Sequence, residues 1–489
     1  MTDALAARAK ELALMMTRWP SVTGSAGEAE FGSKLSEFVR LQWYSENITL
    51  SVQSGDHTCG ISLIMKRGHT PKTIVLTGHF DTVGIEDYGV FEDLALEPEV
   101  LTQALINDLR QTGRYPDALA DFDSGNFIAG RGLLDMKAGL AAGLAVLEAY
   151  QGGVTLILLS VCDEEERSAG ARAAIPFLKK IAKEQALDIE LVINLDAIAD
   201  SGDGSTGRVV TYGSIGKQLL SALVIGKQTH AGYPQNGVNA AYVLSELVCE
   251  IELSPKLSET TGDEVAAPPA TLFAKDLKQG YNVTTPHMAY GYWNTMQHQR
   301  SGAEVFDIAM QLAARAIKRA ADKTDHAIAL RRVADFEPVH NLKQDSSTSL
   351  PDQTLVAMLE LAKQVDGPTV IMGFGSIPYP AVLLRDLKLR NTISKAVRTH
   401  GLGEVNYFAG ISDMSFFGEA SGDLSVVAAN TPIWGKGFVM PEPGGYPTIN
   451  IGPWGRDYHT WLERVHAPYA FEILPRVLLS VIEAVAKKS

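Results

Sequence analysis

The chain has 489 residues, of which 46% are hydrophobic and 20% are charged. This composition is ordinary for a globular protein, and the length exceeds what one compact core usually supports, so we expect two domains. The formal net charge of −14 disfavours a nucleic acid or an anionic membrane as a partner, because both would require clustered Lys and Arg.

Charge placement and cysteine usage bear on the compartment. Charged residues interrupt the apolar stretch near the N-terminus, and no stretch approaches the roughly 18 apolar residues that a membrane span needs. We therefore expect a cytoplasmic protein. The three cysteines, Cys59, Cys162 and Cys249, are dispersed and odd in number, so we expect neither a disulfide framework nor a zinc ribbon.

Apolar, β-rich stretches alternate with amphipathic helical stretches in the first half of the chain. The pattern predicts strands at 73–76, 154–161 and 190–195, and helices at 136–150 and 167–182. Alternation of this kind is typical of a mostly parallel sheet with helices on both faces. Ligands of such sheets bind beyond the carboxyl ends of the strands, so polar residues that follow these strands are expected to meet in one crevice.

The pattern of predicted secondary structure changes after a turn-rich stretch at 200–207. A strand at 219–225, a helix at 239–252, further strand-like sequence to residue 297 and a helix at 303–321 predict a small α+β unit. The α/β pattern returns near residue 350 with a helix at 353–365. We predict an α/β fold with a mixed, mostly parallel sheet flanked by helices. Residues 1–212 and 346–489 would form this domain, and residues 213–345 an inserted one.

A histidine and an aspartate follow the first predicted strand, and an aspartate opens the first predicted helix. His79 is the kind of ligand that zinc prefers. Asp81 can accept a hydrogen bond from the ring nitrogen that faces away from a metal. Asp135 lies in a Gly-flanked turn and is our candidate for a carboxylate that bridges two ions. An ordinary helix N-cap is the alternative for Asp135.

The acidic run that follows the second predicted strand contains two further candidates. We assign Glu165 as a metal ligand and Glu164 as the general base, because a carboxylate beside two cations can take a proton from activated water and deliver it to a leaving amine. Asp163 and Glu166 are explained as well by a solvated helix N-terminus. Asp196, after the third strand, completes this part of the set.

Two histidines outside these strands are also candidates. His459 directly follows a Gly-rich loop near the C-terminus, and we assign it as a metal ligand, whereas His466 is interpreted as a capping or packing residue. His230 lies in the inserted unit, too far along the chain for a local argument to make it a ligand. A donor that stabilises the oxyanion is the role left to His230.

Read in order, these segments resemble the zinc peptidase and deacylase family of clan MH, which contains carboxypeptidase G, acetylornithine deacetylase, succinyl-diaminopimelate desuccinylase and peptidase T. The matching motifs are H-x-D-T-V from His79, G-R-G-x-x-D-M-K from Gly130, D-E-E from Asp163, H-A-G-x-P-x-x-G-x-N-A from His230, G-x-S-D from Gly410, and the final His459. Within the family, the chain is most similar to the RocB-type arginine-utilisation proteins.

The resemblance implies a zinc-peptidase-like catalytic domain with an inserted lid. It implies two divalent ions, Zn²⁺ with Co²⁺ or Mn²⁺ as alternatives. His79, Asp135 and Asp196 would hold one ion, and Asp135, Glu165 and His459 the other. It also implies that the lid forms a homodimer and that His230 can reach the partner subunit's active site.

The resemblance further implies substrate contacts from the lid and the second part of the catalytic domain. Asn239, Asn294 and Asp413 are the expected substrate-binding residues. Many deacylases of this family carry an Arg after the last strand of the lid, where this chain has the stretch 292–297, without an Arg. Arg300 lies nearby but out of register.

These observations predict a metallohydrolase that cleaves an amide bond in a small peptide or an N-acyl amino acid. The two ions and His230 would stabilise the tetrahedral oxyanion, and Glu164 would act as base and acid together with the orienting Asp81. The RocB-type relatives suggest a link to arginine catabolism, which rests on analogy. The alternative is a non-catalytic metal-binding or regulatory homologue, and phosphodiester chemistry is weaker because no Arg or Lys cluster accompanies the ligands.

Overall fold

The computed structural model describes residues 2–42, 45–54, 56–339, 348–408 and 410–487. Thirteen α-helices lie in these ranges: α1 (Thr2–Thr17), α2 (Ala26–Gln42), α3 (Pro98–Thr112), α4 (Pro116–Asp123), α5 (Ala138–Ala149), α6 (Ala169–Glu184), α7 (Ala240–Ile251), α8 (Gly302–Thr324), α9 (Leu350–Ala362), α10 (Leu387–Arg398), α11 (Met414–Phe417), α12 (Ser425–Ala429) and α13 (Leu474–Ala486). Short 3-10 or π turns occupy Glu86–Leu94, Leu133–Lys137, Pro234–Asn236, Val333–Asp335 and Pro468–Ile473.

The same ranges contain 21 strands, several of them only two or three residues long. They are β1 (Glu46–Ser54), β2 (His57–Lys66), β3 (Lys72–His79), β4 (Phe127–Ala129), β5 (Thr155–Val161), β6 (Asp188–Asn194), β7 (Ile198–Ala199), β8 (Val209–Thr211), β9 (Gly213–Ser214), β10 (Gly216–Ile225), β11 (Thr260–Thr261), β12 (Glu264–Val265), β13 (Ala270–Asp276), β14 (Met288–Gln297), β15 (Ala329–Arg332), β16 (Thr369–Phe374), β17 (Val382–Leu383), β18 (Gly403–Val405), β19 (Thr448–Asn450), β20 (Trp454–Arg456) and β21 (Arg464–His466).

The main sheet has eight strands in the order β1-β2-β5-β3-β6-β19-β8-β18. Its central pairs, β5 with β3, β3 with β6 and β6 with β19, are parallel, and the β1-β2-β5 edge is antiparallel. The sequence of β5, TLILLSV, is buried at every position, because a central parallel strand is covered on both faces. The predicted α/β fold with a mixed, mostly parallel sheet is confirmed.

A small-residue helix brings the sheet and its helical layer into close contact near the ligand-bearing strand ends. The first ten residues of α5, AGLAAGLAVL, are all buried. A Cβ atom at Gly139 would lie 2.2 Å from the carbonyl oxygen of Leu195, the residue before Asp196. Glycine at this position therefore allows the helix that follows Asp135 to approach the strand end that carries Asp196.

The second sheet has five strands in the order β13-β14-β10-β16-β15. Helices α7 and α8 pack on one face, and α9 packs on part of the other. This sheet matches the α+β unit expected from the sequence, but it also takes β16 from beyond residue 345. The expected boundary at residue 345 lies outside the described residues, and the division into 1–212, 213–345 and 346–489 stays a prediction.

Two of the three cysteines form a disulfide, which corrects the expectation drawn from their number and spacing. Cys59 on β2 is bonded to Cys162, directly after β5, and Cys249 is free. The strands β2 and β5 are hydrogen-bonded neighbours, so the fold places side by side two residues that are 103 positions apart. In the described ranges, no helix is long and apolar enough to cross a membrane.

We predict that Gly139→Ala destabilises the protein by about 1–3 kcal/mol, because the added methyl group would displace the backbone at Leu195. The free energy of unfolding from urea titration measures the effect. Gly143→Ala on the same helix is the matched control and should cost less stability. A Cβ atom at this position would be nearest to the movable Cδ1 methyl groups of Leu195, at 2.8 Å, and Leu158, at 3.2 Å, rather than to backbone atoms. Equal stability of the two variants would contradict the prediction.

Candidate metal centre and active site

The structure brings together the five predicted metal ligands, which come from five separate segments. His79 ends β3, Glu165 follows β5, and Asp196 follows β6. Asp135 precedes α5, and His459 lies in the loop between β20 and β21. Ligand atoms of His79, Asp135 and Glu165 lie within 4.8 Å of one another. The sheet brings His79, Glu165 and Asp196 together, because parallel strands end at the same edge.

Asp135 lies between the two histidines, with each carboxylate oxygen facing a different imidazole. Its Oδ1 is 3.1 Å from Nε2 of His79, and its Oδ2 is 3.3 Å from Nε2 of His459. The Asp196 Oδ1 atom is 3.8 Å from the same His79 nitrogen, and the Glu165 Oε1 atom is 3.0 Å from the same His459 nitrogen. Two groups of three ligands therefore share one carboxylate, as a two-metal site requires.

Electrostatics at this cluster favour cations. Burial alone would lower the pKa of His79, but hydrogen bonds from the imidazole to Asp135 and Asp196 raise it well above its usual value. Hydrogen bonds to Asp135 and Glu165 raise the pKa of His459 to about 10. Burial raises the pKa of Glu165 and of Asp196. Divalent ions would compete with protons for these ligand atoms, and the imidazole and carboxylate donors suit zinc.

His79 is oriented by the backbone of Asp81 rather than by its carboxylate. The Nδ1 atom of His79 lies 3.0 Å from the carbonyl oxygen of Asp81 and 3.6 Å from its Oδ1 atom. Donation from Nδ1 to this carbonyl leaves Nε2 free to bind a metal. The carboxylate of Asp81 instead accepts hydrogen bonds from the backbone N–H groups of Glu164 and Glu165, at 3.1 and 3.2 Å, and from Thr23.

The predicted base, Glu164, is next to the ligand set. Burial raises its pKa well above the usual value, and the charges of Asp413 and Asp196 add to this effect. Nearby cations would lower that pKa again. The carboxylate can therefore hold a proton or release it as the charge around it changes, which is the property that a base and acid needs.

A buried ion pair that the sequence interpretation missed fixes the backbone at Asp135. Glu463 is 1% exposed, and its Oε1 atom accepts hydrogen bonds from the N–H groups of Leu134 and Asp135 at 3.2 and 3.4 Å. Its Oε2 atom is 2.9 Å from the guanidinium of Arg131, which is also 1% exposed. The arginine of the G-R-G-x-x-D motif was the available sequence signal, but its partner lies 332 residues away.

Asn450 fixes the backbone at Asp196 in a similar way. Its side-chain Oδ1 accepts a hydrogen bond from the N–H of Asp196 at 3.0 Å, and its Nδ2 donates to the carbonyl of Asp196 at 2.9 Å. Asn450 ends β19, which is parallel to β6, so a neighbouring strand positions this ligand. No motif in the sequence indicated the role of Asn450.

Among the described residues, no hydrogen bond or ion pair joins His230, Asn239 or Asn294 to the ligand set. His230 is exposed in the second sheet's loop region, and its Nδ1 accepts a hydrogen bond from the N–H of Gly232. Asn239 caps α7 through its side-chain oxygen. Asn294 lies on β14 opposite Leu219.

Asp413, by contrast, is buried close to the base. Burial raises its pKa to about 7, and the charge on His79 opposes this rise. His466, which the sequence interpretation assigned to packing, stacks on Trp454 with ring centroids 4.7 Å apart.

A carboxylate shared by two histidine–carboxylate groups, at the carboxyl edge of a helix-flanked sheet, defines the class of two-metal hydrolases. The model of Peptidase family M20/M25/M40 matches residues 112–432, which is more than half of the chain. The chain belongs to this family, and it is therefore a hydrolase of the peptidase and amidohydrolase type.

The chain is also similar to individual proteins and to a solved structure. The chain is 29% identical over 528 residues to the uncharacterized protein YqjN of Bacillus subtilis (strain 168), covering 97% of this chain and 95% of the relative. It is 27% identical over 477 residues to Protein RocB of the same strain, covering 85% and 83%. The structure of Bacillus subtilis YXEP, described as a dinuclear metal binding peptidase from the M20 family, matches with a TM-score of 0.55 at 10% identity, covering 99% and 98%.

We predict that Glu463→Ala costs about 3–5 kcal/mol of stability, because it leaves the charge of Arg131 buried without its buried partner. The metal affinity should fall as well, since the backbone of Asp135 loses an acceptor. Urea unfolding and metal titration measure the two effects. Asp87→Asn is the control, because Asp87 contacts the same guanidinium but is 38% exposed, and it should cost at most about 1 kcal/mol.

Asp81→Asn should lower metal affinity or activity by about 10- to 100-fold. An asparagine offers one acceptor oxygen where two backbone N–H groups and a hydroxyl now converge, and its NH₂ group would face a donor. Metal content after dialysis, together with hydrolysis rates, gives the readout. Thr23→Val removes only the hydroxyl donor and should have a smaller effect; an equal loss in both variants would refute the proposed role of the carboxylate.

Proposed function

We propose that this protein is a zinc-dependent hydrolase that cleaves an amide bond in a small peptide or an N-acyl amino acid. The observation that carries the proposal is the position of Asp135, whose two oxygens face Nε2 atoms of different histidines at 3.1 and 3.3 Å. Glu164 lies in the same crevice. Membership of a peptidase family supports the choice of an amide bond.

In this proposal, His79, Asp135 and Asp196 hold one ion, and Asp135, Glu165 and His459 hold the other. Two bound ions, Zn²⁺ in first place and Co²⁺ or Mn²⁺ as alternatives, would polarise the scissile carbonyl and make water acidic enough to attack at neutral pH.

The remaining chemistry belongs to the chain itself. Glu164 accepts a proton from the attacking water and delivers it to the leaving nitrogen. Asp81 holds the backbone N–H groups of Glu164 and Glu165, so the base and one ligand keep a fixed relation to His79. His230 is proposed to stabilise the oxyanion, and Asn239, Asn294 and Asp413 to contact substrate. Of these four, burial beside Glu164 supports Asp413.

Three further features belong to the proposal. A homodimer through the lid is supported by the exposed apolar side chains Val265, Leu272 and Tyr281 of the lid unit, which are 65%, 58% and 94% exposed. A link to arginine catabolism is supported by the likeness to RocB. A cytoplasmic location stays a prediction, and the bond between Cys59 and Cys162 counts against it because cytosolic disulfides are rare.

We predict two divalent ions per chain by elemental analysis and hydrolysis of at least one member of a panel of dipeptides, tripeptides and N-acyl amino acids that includes arginine and ornithine derivatives. A chelator should abolish the activity, and added Zn²⁺ should restore it. Glu164→Gln should lower kcat at least about 100-fold, within the range for loss of a general base, and should keep both ions.

The competing function is a metal-binding or regulatory protein without turnover. Retention of a carboxylate at Glu164, beside the ligands rather than among them, favours the enzyme. Hydrolysis of no panel member by the metal-loaded wild type would favour the regulatory protein instead. A Glu164→Gln variant that hydrolyses as fast as the wild type would show that any activity has another origin.

A further inference from the structure

A lysine of the lid lies beside the catalytic base. Lys217 is the second residue of β10, and its backbone exchanges hydrogen bonds with that of Tyr379, at 2.7 and 3.0 Å. Its ammonium lies 5.7 Å from the centroid of the Tyr379 ring. The Tyr379 hydroxyl is in turn 3.2 Å from the hydroxyl of Ser168, which directly precedes α6. The ammonium of Lys217 thus lies near the Tyr379 ring at the start of α6, close enough to Glu164 for the two charges to interact.

The ammonium of Lys217 has no carboxylate within salt-bridge distance in the part of the chain that the structure describes. Burial lowers its pKa, and the charge of Glu164 acts in the opposite direction. A half-buried cation without a fixed counter-ion can bind an anionic group of a ligand at lower desolvation cost than one that is already paired.

Two arginines that could bind an anion instead donate to backbone carbonyl groups. Arg172 donates to the carbonyls of Val439 and Arg167. Arg300, the nearest substitute in sequence for the family's lid arginine, donates to the carbonyls of Lys256 and Ser258. These contacts hold both guanidinium groups on backbone oxygens, which leaves Lys217 as the better candidate to bind an anion at the site.

A cavity of about 510 Å³ adjoins the same place. It is bounded by Ala197 and Tyr458, which are the chain neighbours of the ligands Asp196 and His459, and by Met296. Met296 is the direct cross-strand partner of Lys217, so the two side chains lie on one face of the sheet. The other walls include the apolar residues Ile198, Val209, Ile215, Val405 and Phe408 and the polar residues Thr206, Thr211 and Glu264. The Glu264 carboxylate accepts hydrogen bonds from Asn406 and from the N–H of Tyr407.

Three polar side-chain atoms of the residues that line the cavity lack a hydrogen-bond partner among the described residues: Thr211 Oγ1, His298 Nδ1 and the Tyr407 hydroxyl. His298 is 3% exposed and lines the cavity, and its Nδ1 atom has no hydrogen-bond partner among the described residues. Its ring stacks on Tyr407 with centroids 4.2 Å apart. A mainly apolar pocket with a small number of polar groups is the usual construction of a small-molecule subsite.

We propose that Lys217 binds the free α-carboxylate of the substrate's leaving amino acid, and that the cavity beside Met296 and His298 holds the apolar side chain of that amino acid. This inference rests on the proposed amide hydrolysis and names its substrate class: peptides or N-acyl amino acids with an unblocked, apolar C-terminal residue. Recognition of the carboxylate thus comes from the first strand of the lid rather than from an arginine after its last strand.

Paired substrates test the charge. The best acyl or aminoacyl group of the panel is joined to leucine and to leucinamide, and both are hydrolysed by the wild type and by Lys217→Met. The wild type should have the lower KM for the acid. Lys217→Met should raise the KM for the acid about 10- to 100-fold, to the level of the amide, and should lower kcat/KM for the amide by a much smaller factor.

Two matched variants keep this result interpretable. Lys217→Arg should retain the preference for the acid, and Lys227→Met, at an exposed lysine just after β10, should behave as the wild type. Equal cleavage of acid and amide by the wild type, or an equal loss on both in Lys217→Met, would overturn the role of Lys217.

A binding measurement separates this proposal from the proposed function. Calorimetry with the metal-loaded Glu164→Gln variant should show that leucine binds at least about 10-fold more tightly than leucinamide. A double variant that also carries Lys217→Met should bind the two compounds equally. Wild-type protein that hydrolyses nothing but binds leucine selectively would refute the activity and keep the subsite. Equal binding of leucine and leucinamide would overturn the subsite.

Side-chain selectivity tests the cavity. The wild type should cleave the leucine derivative with a higher kcat/KM than the glycine derivative, since burial of a leucine side chain is favourable. Met296→Trp fills the cavity and should abolish or reverse this preference while the acid remains preferred over the amide. An unchanged preference for leucine in Met296→Trp would place the side chain elsewhere and overturn this part of the proposal.

Discussion

The carboxylate of Asp135 lies between two imidazoles, and much of the catalytic domain keeps it there. Its backbone N–H is bonded to Glu463, whose other oxygen pairs with the buried Arg131. The helix that follows it, α5, approaches the strand end at Leu195 through Gly139. A shared carboxylate must satisfy two ligand groups at once, so its position tolerates less displacement than that of the outer ligands.

Hydrogen bonds to backbone groups also hold three of the outer ligands, His79, Glu165 and Asp196, in place. His79 is oriented by the carbonyl of Asp81, whose carboxylate fixes the N–H groups of the Glu164–Glu165 segment, and Asn450 fixes Asp196. A neighbouring segment therefore fixes the position of each of these ligand residues. Such supporting contacts are known to decide metal affinity and activity almost as strongly as the ligands do.

The sequence was sufficient for the central strands, the α/β fold and the five ligand candidates, because the strands have a recognisable apolar pattern and three of the candidates, His79, Glu165 and Asp196, lie at or just after strand ends. It did not predict β1 or β2, and the disulfide between Cys59 and Cys162 depends on the pairing of β2 with β5. The contact of Glu463 with Asp135 was equally hidden, because it joins residues 328 positions apart. The carboxylate of Asp81 was assigned to the histidine ring, since sequence cannot distinguish a side-chain acceptor from the carbonyl of the same residue.

The second sheet contains β10, its first strand in chain order, and β16, its last, and these two strands pair with each other. Just outside that pair, Lys217 and Tyr379 are also bonded backbone to backbone. Lys217 and Tyr379 thus extend this strand pair into a two-stranded ribbon at the end of the second sheet. A double-stranded connection resists twisting more than a single chain does, so the ribbon limits how far the second sheet can rotate about this point.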